Sequence, residues 1–377
     1  MEDVIVLYPS PGRGHLISMV EFGKLILKHQ PSFSITILIL SDPNTNTNST
    51  APNYVASSTT QYIATVNSTT PSITFQHLPP ISEIPRSTAS PVELSFLIPL
   101  LNNPNLHQTL KTISQTSKLR AFIIDFFCDA AFEVATNLDI PTYYFFTSGA
   151  SGLALFLYMP TLHKNVDKSF KDLSNMLFDI PGIPPIPASD MPGGISDRTS
   201  QRYEYFLNTA THMAKSNGIF VNTFDLLEKK AINAISDGLC VPDGLTPPIF
   251  CIGPLISSSN QDGDEHECLK WLTSQPSRSV VFLSFGSMGS FSAKQLREMA
   301  VGLENSGQRF LWVMEDGLVS AEELEKRVRE LFESEVGREV RVRVLGFRDE
   351  AMVAQKEGGS SHVALAKLAQ VVEANLT

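Results

Sequence analysis

The chain has 377 residues, 42% of them hydrophobic, and a formal net charge of −10. That is enough apolar material for two cores, and the acidic balance argues against a nucleic-acid partner. No apolar run approaches the roughly 20 residues needed to span a bilayer. The chain enters a strand without the basic segment that opens a secretory signal. Cys128, Cys240, Cys251 and Cys268 have no CxxC spacing and read as free thiols in a reducing, cytoplasmic setting.

In chain order, Val4 to Leu7 is a short apolar run rich in β-branched residues, closed by a Pro- and Gly-bearing turn, and it predicts a buried strand. Leu16 to Lys28 predicts a helix lying beneath that sheet. Further strands are predicted at Ser34–Leu40, Ile73–Leu78, Ala121–Ile124, Thr142–Phe146 and Gly218–Asn222. Helical segments fall between Val92 and Ser117 and over Ala130–Asn137, Gly149–Leu162, Ser200–Lys215 and Leu226–Ile235. Asp42–Thr60, Pro79–Pro91 and Pro181–Pro192 read as loops from their Asn, Ser, Thr and Pro content. The β–α alternation predicts a parallel, doubly wound α/β sheet.

Residues 242–263 have the composition of a linker, giving a first domain over 1–241 and a second over 264–377. The second opens with a β–α–β unit. Its parts are a strand Val280–Phe285, a turn at Gly286-Ser287, a helix capped by Ser292 and Gln295, and a strand Arg309–Val313. From Glu315 to Glu357 the chain is densely charged. A helix with Leu324, Val328 and Leu331 on one side is expected there, capped by Ser320 and Glu323, and a last amphipathic helix over Val363–Val372. No parallel strand is predicted after Val313. A two-stranded remnant is marginal in water, so the second domain reads as incomplete on physical grounds.

Two chemistry-bearing side chains stand at one edge of the first sheet. His15 follows the first strand at the mouth of a helix, and Asp125 closes the fourth. Ligands bind beyond the carboxyl ends of such strands. A carboxylate there can bond one imidazole nitrogen, fix the tautomer and leave the other free as a base. Asp125 favours the imidazolium, and the helix N-terminus opposes it. Phe126, Phe127, Tyr143, Tyr144, Phe145, Phe146 and Phe156 flank this edge. Most are expected in the core, with some turned toward a flat apolar ligand. Gly286-Ser287, at a helix start, can offer backbone N–H groups to a phosphate. There is no GxGxxG, no Walker motif and no metal-ligand cluster in the sequence.

Six segments in order then resemble one family, the plant small-molecule glycosyltransferases that use UDP-sugars. They are Pro-Ser-Pro-Gly-Arg-Gly-His-Leu, Ile-Ile-Asp-Phe-Phe-Cys-Asp, Gly-Ile-Phe-Val-Asn-Thr-Phe-Asp-Leu-Leu-Glu, Pro-Pro-Ile-Phe-Cys-Ile-Gly-Pro-Leu, Cys-Leu-Lys-Trp-Leu and Val-Val-Phe-Leu-Ser-Phe-Gly-Ser-Met-Gly. The likeness is greatest to enzymes that glucosylate anthocyanidins and related flavonoids. The resemblance implies the GT-B fold, two facing Rossmann-like domains. It implies a phenolic acceptor in the first, UDP-glucose held mainly by the second as a co-substrate, no metal, and a monomer. It makes His15 the base, Asp125 the residue that orients it, and Gly14, Phe126 and Phe127 acceptor contacts. Thr147 matches a position that bonds the sugar, and Ser287, beside Gly286, one that contacts the phosphates. Transfer would invert the anomeric carbon.

The chain departs from that family in one block. The donor-binding signature should begin with Trp-Ala-Pro-Gln, run through His-Cys-Gly-Trp-Asn-Ser and end in an acidic residue followed by Gln. Instead Gln308-Arg309-Phe310-Leu311-Trp312-Val313 is followed almost at once by Glu315-Asp316-Gly317-Leu318, segments that flank the signature in the family. The N-terminal domain is therefore expected to be complete and the C-terminal one truncated by an internal deletion, from splicing or gene modelling. Two further readings follow from that gap: a non-catalytic phenol-binding remnant, or a chain that does not fold stably.

Overall fold

The computed structural model describes residues 1–40, 53–81, 90–173, 176–256, 267–284, 291–312 and 321–374. They form two compact units, Met1–Ser257 with Ala351–Thr377, and Ser258–Glu350.

The first unit runs β1 (Asp3–Tyr8), α1 (Arg13–His29), β2 (Ser34–Ile39), α2 (Asn53–Thr69), β3 (Ile73–His77), α3 (Pro91–Leu101), α4 (Asn103–Thr116), β4 (Lys118–Asp125), α5 (Ala131–Thr136), β5 (Thr142–Phe146) and α6 (Ala150–Asn165). A short antiparallel pair, β6 (Leu177–Phe178) and β7 (Ile186–Pro187), precedes α7 (Gln201–Met213), β8 (Ile219–Val221), α8 (Lys229–Ser236) and β9 (Ile249–Cys251). Seven strands form one parallel sheet in the order β3-β2-β1-β4-β5-β8-β9. The winding reverses between β1 and β4, which makes their carboxyl ends the topological switch point.

Alternation along each strand builds the two cores. Val4, Val6 and Tyr8 of β1 join one, with Phe122 and Ile124 of β4 and Tyr144 and Phe146 of β5. Ile5 and Leu7 join the other, with Ala121, Ile123, Tyr143 and Phe145, against Leu16, Met19 and Phe22 of α1. Both faces are covered, so these strands read as unbroken apolar runs rather than alternating ones.

Four expectations are corrected. The stretch read as loop to Thr60 is helical from Asn53, because Tyr62, Ile63 and the buried Val66 pack on the second core. Packing outweighs the weak helix propensity of the Ser and Thr there. Inside the expected linker, β9 pairs with β8 as the sheet's last strand, Ile219 opposite Ile249. The helix expected from Leu226 begins at Lys229, since Leu226 and Leu227 are exposed and Glu228 serves α6. The terminal helix α13 (Ser360–Ala374) packs in the first unit: Ser361 Oγ donates to the Gly253 carbonyl at 2.7 Å, and Leu365 is buried beside α1.

The second unit contains α9 (Glu267–Thr273), β10 (Val280–Leu283), α10 (Ala293–Ser306), β11 (Arg309–Trp312), α11 (Ala321–Glu333) and most of α12 (Glu335–Gln355). β10 and β11 pair in parallel, and among the described residues their sheet has two strands. Ser292 caps α10 by accepting from the Gln295 N–H, and Gly307 ends it in the left-handed conformation at φ 66°. The core is Leu283, Leu303 and Val328, with Val281, Trp312, Leu324 and Phe332 around it. The Ser320–Glu323 cap and the junction at 313–320 lie outside the described residues.

Candidate active site

The site grows from the switch point. β1 delivers the chain into a turn where Gly12 takes φ 125°, open to glycine but strained for other residues, and serves as N-cap of α1. His15 stands in the first turn of that helix. β4 ends on Asp125, which alternation puts on the same side as Ile123, the face α1 covers. The two side chains meet there, with His15 Nδ1 2.9 Å from Asp125 Oδ2. Ser10, missed in the sequence, completes the arrangement. Its hydroxyl donates to Asp125 Oδ1 at 2.7 Å and accepts from the Phe127 N–H at 3.2 Å. Both carboxylate oxygens are thus engaged, and the carboxylate is fully buried.

A carboxylate only accepts, so Nδ1 carries the hydrogen and Nε2 keeps its lone pair. The His15 side chain is 28% exposed, so solvent or a ligand reaches the ring. Burial pulls its pKa down; the hydrogen bond and the negative charge of Asp125 push it up, and together they prevail. The result is an oriented imidazole whose affinity for a proton exceeds that of a free histidine. Such a group can take a proton from a hydroxyl and hold it.

Around it, Phe127 presents its ring edge-on to His15, centroids 5.7 Å apart, and packs against Phe96 at 4.9 Å. Phe126 packs edge-on to Phe127 at 5.3 Å and is 5% exposed in an aromatic cluster with Phe146, Phe156 and Phe206. Gly14 is exposed, and a Cβ there would meet open space. Thr147 follows β5, the neighbour of β4, on the same sheet edge and is partly exposed. Gly286 and Ser287 lie outside the described residues. Among the described residues no group of three His, Cys, Asp or Glu side chains could hold a metal ion.

Two further contacts hold this edge. Asp129 accepts from the Tyr144 hydroxyl at 2.6 Å and meets His212 Nδ1 at 3.0 Å, tying α7 to the turn after β4. Glu228 accepts from the backbone N–H groups of Ala150 and Ser151 at 2.7 and 2.9 Å, capping α6 from a distant segment. A Cβ at Gly149 would collide with that carboxylate. Of these, Asp129 carries a signal in the sequence, an acidic residue in the turn that also holds Asp125.

Comparison with known proteins agrees with this frame. The family described as UDP-glucoronosyl and UDP-glucosyl transferase matches over residues 213–329. The chain is 54% identical over 311 residues to UDP-glycosyltransferase 88B1 of Stevia rebaudiana, covering 82% of this chain and 65% of that protein's length. It is 43% identical to the anthocyanidin 5,3-O-glucosyltransferase of a Rosa hybrid cultivar, in an alignment of 472 positions covering 98% of each. Among solved structures, Phytolacca americana UGT2 complexed with UDP-2fluoro-glucose and pterostilbene superposes with TM-score 0.83 at 27% identity, over 98% of this chain and 100% of that one. Medicago truncatula UGT71G1 complexed with UDP-glucose gives 0.80 at 26%, over 98% of each. The α/β fold is of the GT-B class, and the chain belongs to the plant UDP-glycosyltransferase family.

Proposed function

We propose that the first unit is the acceptor-binding and proton-accepting half of a UDP-glucose-dependent glucosyltransferase acting on a flavonoid-type phenol. The single observation behind this reading is the 2.9 Å contact between His15 Nδ1 and Asp125 Oδ2, which leaves Nε2 free on a partly exposed ring. Nε2 takes the proton of an acceptor hydroxyl. A phenol titrates near ~10, within reach of an imidazole of raised pKa. The phenolate oxygen attacks the anomeric carbon as the bond to UDP breaks and its electron pair leaves with the phosphate, so the configuration inverts. The Asp125 carboxylate stabilises the imidazolium formed. Gly14 and Phe127 border the acceptor, and Thr147, Gly286 and Ser287 serve the sugar and phosphates. No metal takes part, and the protein works as a cytoplasmic monomer. The names of the Rosa and Phytolacca relatives support the acceptor class and the donor.

A second observation bears on turnover by this chain. Its sequence lacks the donor signature between Val313 and Glu315, and the alignment with the Rosa enzyme needs 472 positions against 377 residues here. Catalysis depends on holding the donor in the transition state. We therefore infer that this chain binds a phenol but holds UDP too weakly to transfer glucose. Calorimetry with quercetin and with UDP, followed by product analysis with UDP-glucose, tests both readings. The expected result is quercetin binding, no UDP binding at micromolar strength, and glucoside only after a family donor block is inserted after Val313. Micromolar UDP binding by the chain as it stands overturns the second reading. Glucoside formation by the block-restored chain that is unaffected by His15→Ala overturns the first.

A further inference from the structure

Two histidine–carboxylate pairs flank one turn of the first unit. Asp125 closes β4 and meets His15, and Asp129, at the far end of the turn Phe126–Cys128, meets His212 of α7. His212 Nδ1 lies 3.0 and 3.1 Å from the two Asp129 oxygens, and the Tyr144 hydroxyl of β5 donates to the first of them at 2.6 Å. Phe132 stacks on the imidazole at 5.0 Å. The other ring nitrogen faces Glu133 of α5, 4.0 Å away, and Lys215 is the cation beside it on α7. The hydrogen bond to Asp129 and the charges of Asp129 and Glu133 raise the His212 pKa, outweighing burial and Lys215. Burial, with Asp129 alongside, pushes the Tyr144 hydroxyl well above its usual range, so His212 is the member of this group that titrates near neutrality. The same helix builds the wall beside His15. Tyr205 stands two turns before His212, on the same face of α7, and stacks on Phe96 at 5.0 Å. Phe206 packs on Phe96 and Phe126 at 5.3 and 5.5 Å. Phe96 in turn packs on Phe127, whose ring is 5.7 Å from that of His15. α7 therefore reaches this turn twice, by an ion pair at Asp129 and by rings at Phe126 and Phe96.

We propose that His212, acting through Asp129, is a positioning residue for the acceptor side of the site: its charged form draws α7 onto the turn after β4 and so sets Phe96 and Phe127 beside His15. The acceptor part of this inference rests on the function proposed above. A carboxylate only accepts, so Nδ1 keeps its hydrogen in both forms and the proton lost is the one on Nε2. With the folded pKa raised, the ion pair is fully present below the unfolded value of about 6.5 and is lost as pH rises through the folded midpoint, leaving a neutral hydrogen bond. His212→Asn is neutral at every pH and can still donate to Asp129, so it removes the charge alone. Calorimetry with quercetin at about pH 6 and about pH 8.5, on either side of the histidine range, reads the effect, and comparing the two proteins at one pH cancels the ligand's own ionisation. The wild type should bind about threefold tighter than His212→Asn at the lower pH, within the worth of a partly exposed ion pair, and equally at the higher. NMR supplies a readout that needs no ligand. With His15→Gln in place, so that residue 15 no longer titrates, the Phe127 amide signal should move at the midpoint of the His212 ring and stay still once His212→Asn is added. A difference in affinity that persists at the higher pH makes His212 merely structural and overturns the proposal. So do equal affinities at both pH values, or a Phe127 signal that ignores the His212 midpoint. Quercetin bound by neither protein, with the Phe127 signal still following His212, defeats the acceptor reading while upholding the positioning of Phe127 by His212.

Discussion

The seven-stranded sheet of the first unit and the two-stranded sheet of the second use the same kind of strand but bury it differently. In β5 both parities are buried, Tyr143 and Phe145 in one core and Tyr144 and Phe146 in the other. In β10, Leu283 is 9% exposed while its neighbour Phe282 is 64% exposed. Leu303 of α10 and Val328 of α11 form a core with Val281 and Leu283 on one side of the small sheet, whereas Phe282 on the other side is exposed. A parallel pair covered on one face is unusual, because parallel sheets are stable when helices lie on both faces. The comparison teaches what positions the histidine–carboxylate pair: its members stand on α1 and β4 of the unit whose sheet is covered on both faces.

Three experiments break or sharpen this contrast, taken from the largest expected effect to the smallest. Phe145 is fully buried and lies 5.1 Å from Phe22. Phe145→Ala should destabilise the first unit by about 3–5 kcal/mol, whereas Phe282→Ala should change the second by less than about 0.5 kcal/mol. Amide hydrogen exchange of β5 and β10 separates the two; equal losses would mean that the open face of β10 is buried in solution. Ser10→Ala leaves Asp125 Oδ1 without its donor and the Phe127 N–H without its acceptor. It should cost about 1–3 kcal/mol in chemical denaturation, and an unchanged stability would show that the Ser10 bridge is dispensable.

Glu228→Gln should cost about 1 kcal/mol, the usual worth of a helix cap. Burial raises the Glu228 pKa, but the hydrogen bonds its carboxylate accepts from Ser151 and Ala150 outweigh burial and hold it below the usual carboxylate value. A depressed folded pKa stabilises above the unfolded value of ~4.3 and is lost as pH falls through the folded one. The gap between wild type and Glu228→Gln should therefore close in acid, as a series of melting curves from neutral pH downward would show. A gap independent of pH would assign Glu228 to packing instead.

Much of this was readable in the chain. β1, β4 and β5 are apolar runs that announce themselves, with Asp125 closing β4 and His15 following β1, at the strand ends where ligands of an α/β sheet bind. What escaped depends on contacts distant in sequence. Ser10 reads as one residue of a Pro-Ser-Pro turn, and only the pairing of β1 with β4 brings its hydroxyl to Asp125. β9 is too short to show a period and sits among prolines, so composition gives a linker where β8 supplies a partner. Phe126 and Phe127 share the turn after β4 and both pack on Phe96, and it is the fold of that turn that brings Phe127 to the His15 ring as well. The surface helix α2 depends on Val66 finding the sheet, which its Ser- and Thr-rich sequence does not advertise.

At the centre stands the claim that Asp125 makes His15 a stronger base than a free imidazole. NMR titration of the His15 ring in the wild type and in Asp125→Asn tests it without needing turnover. The account predicts a midpoint above the ordinary histidine value of about 6.5 in the wild type. With the carboxylate charge gone and burial left to act, it should drop in Asp125→Asn. A midpoint at or below that ordinary value in the wild type, unmoved by the substitution, would contradict it.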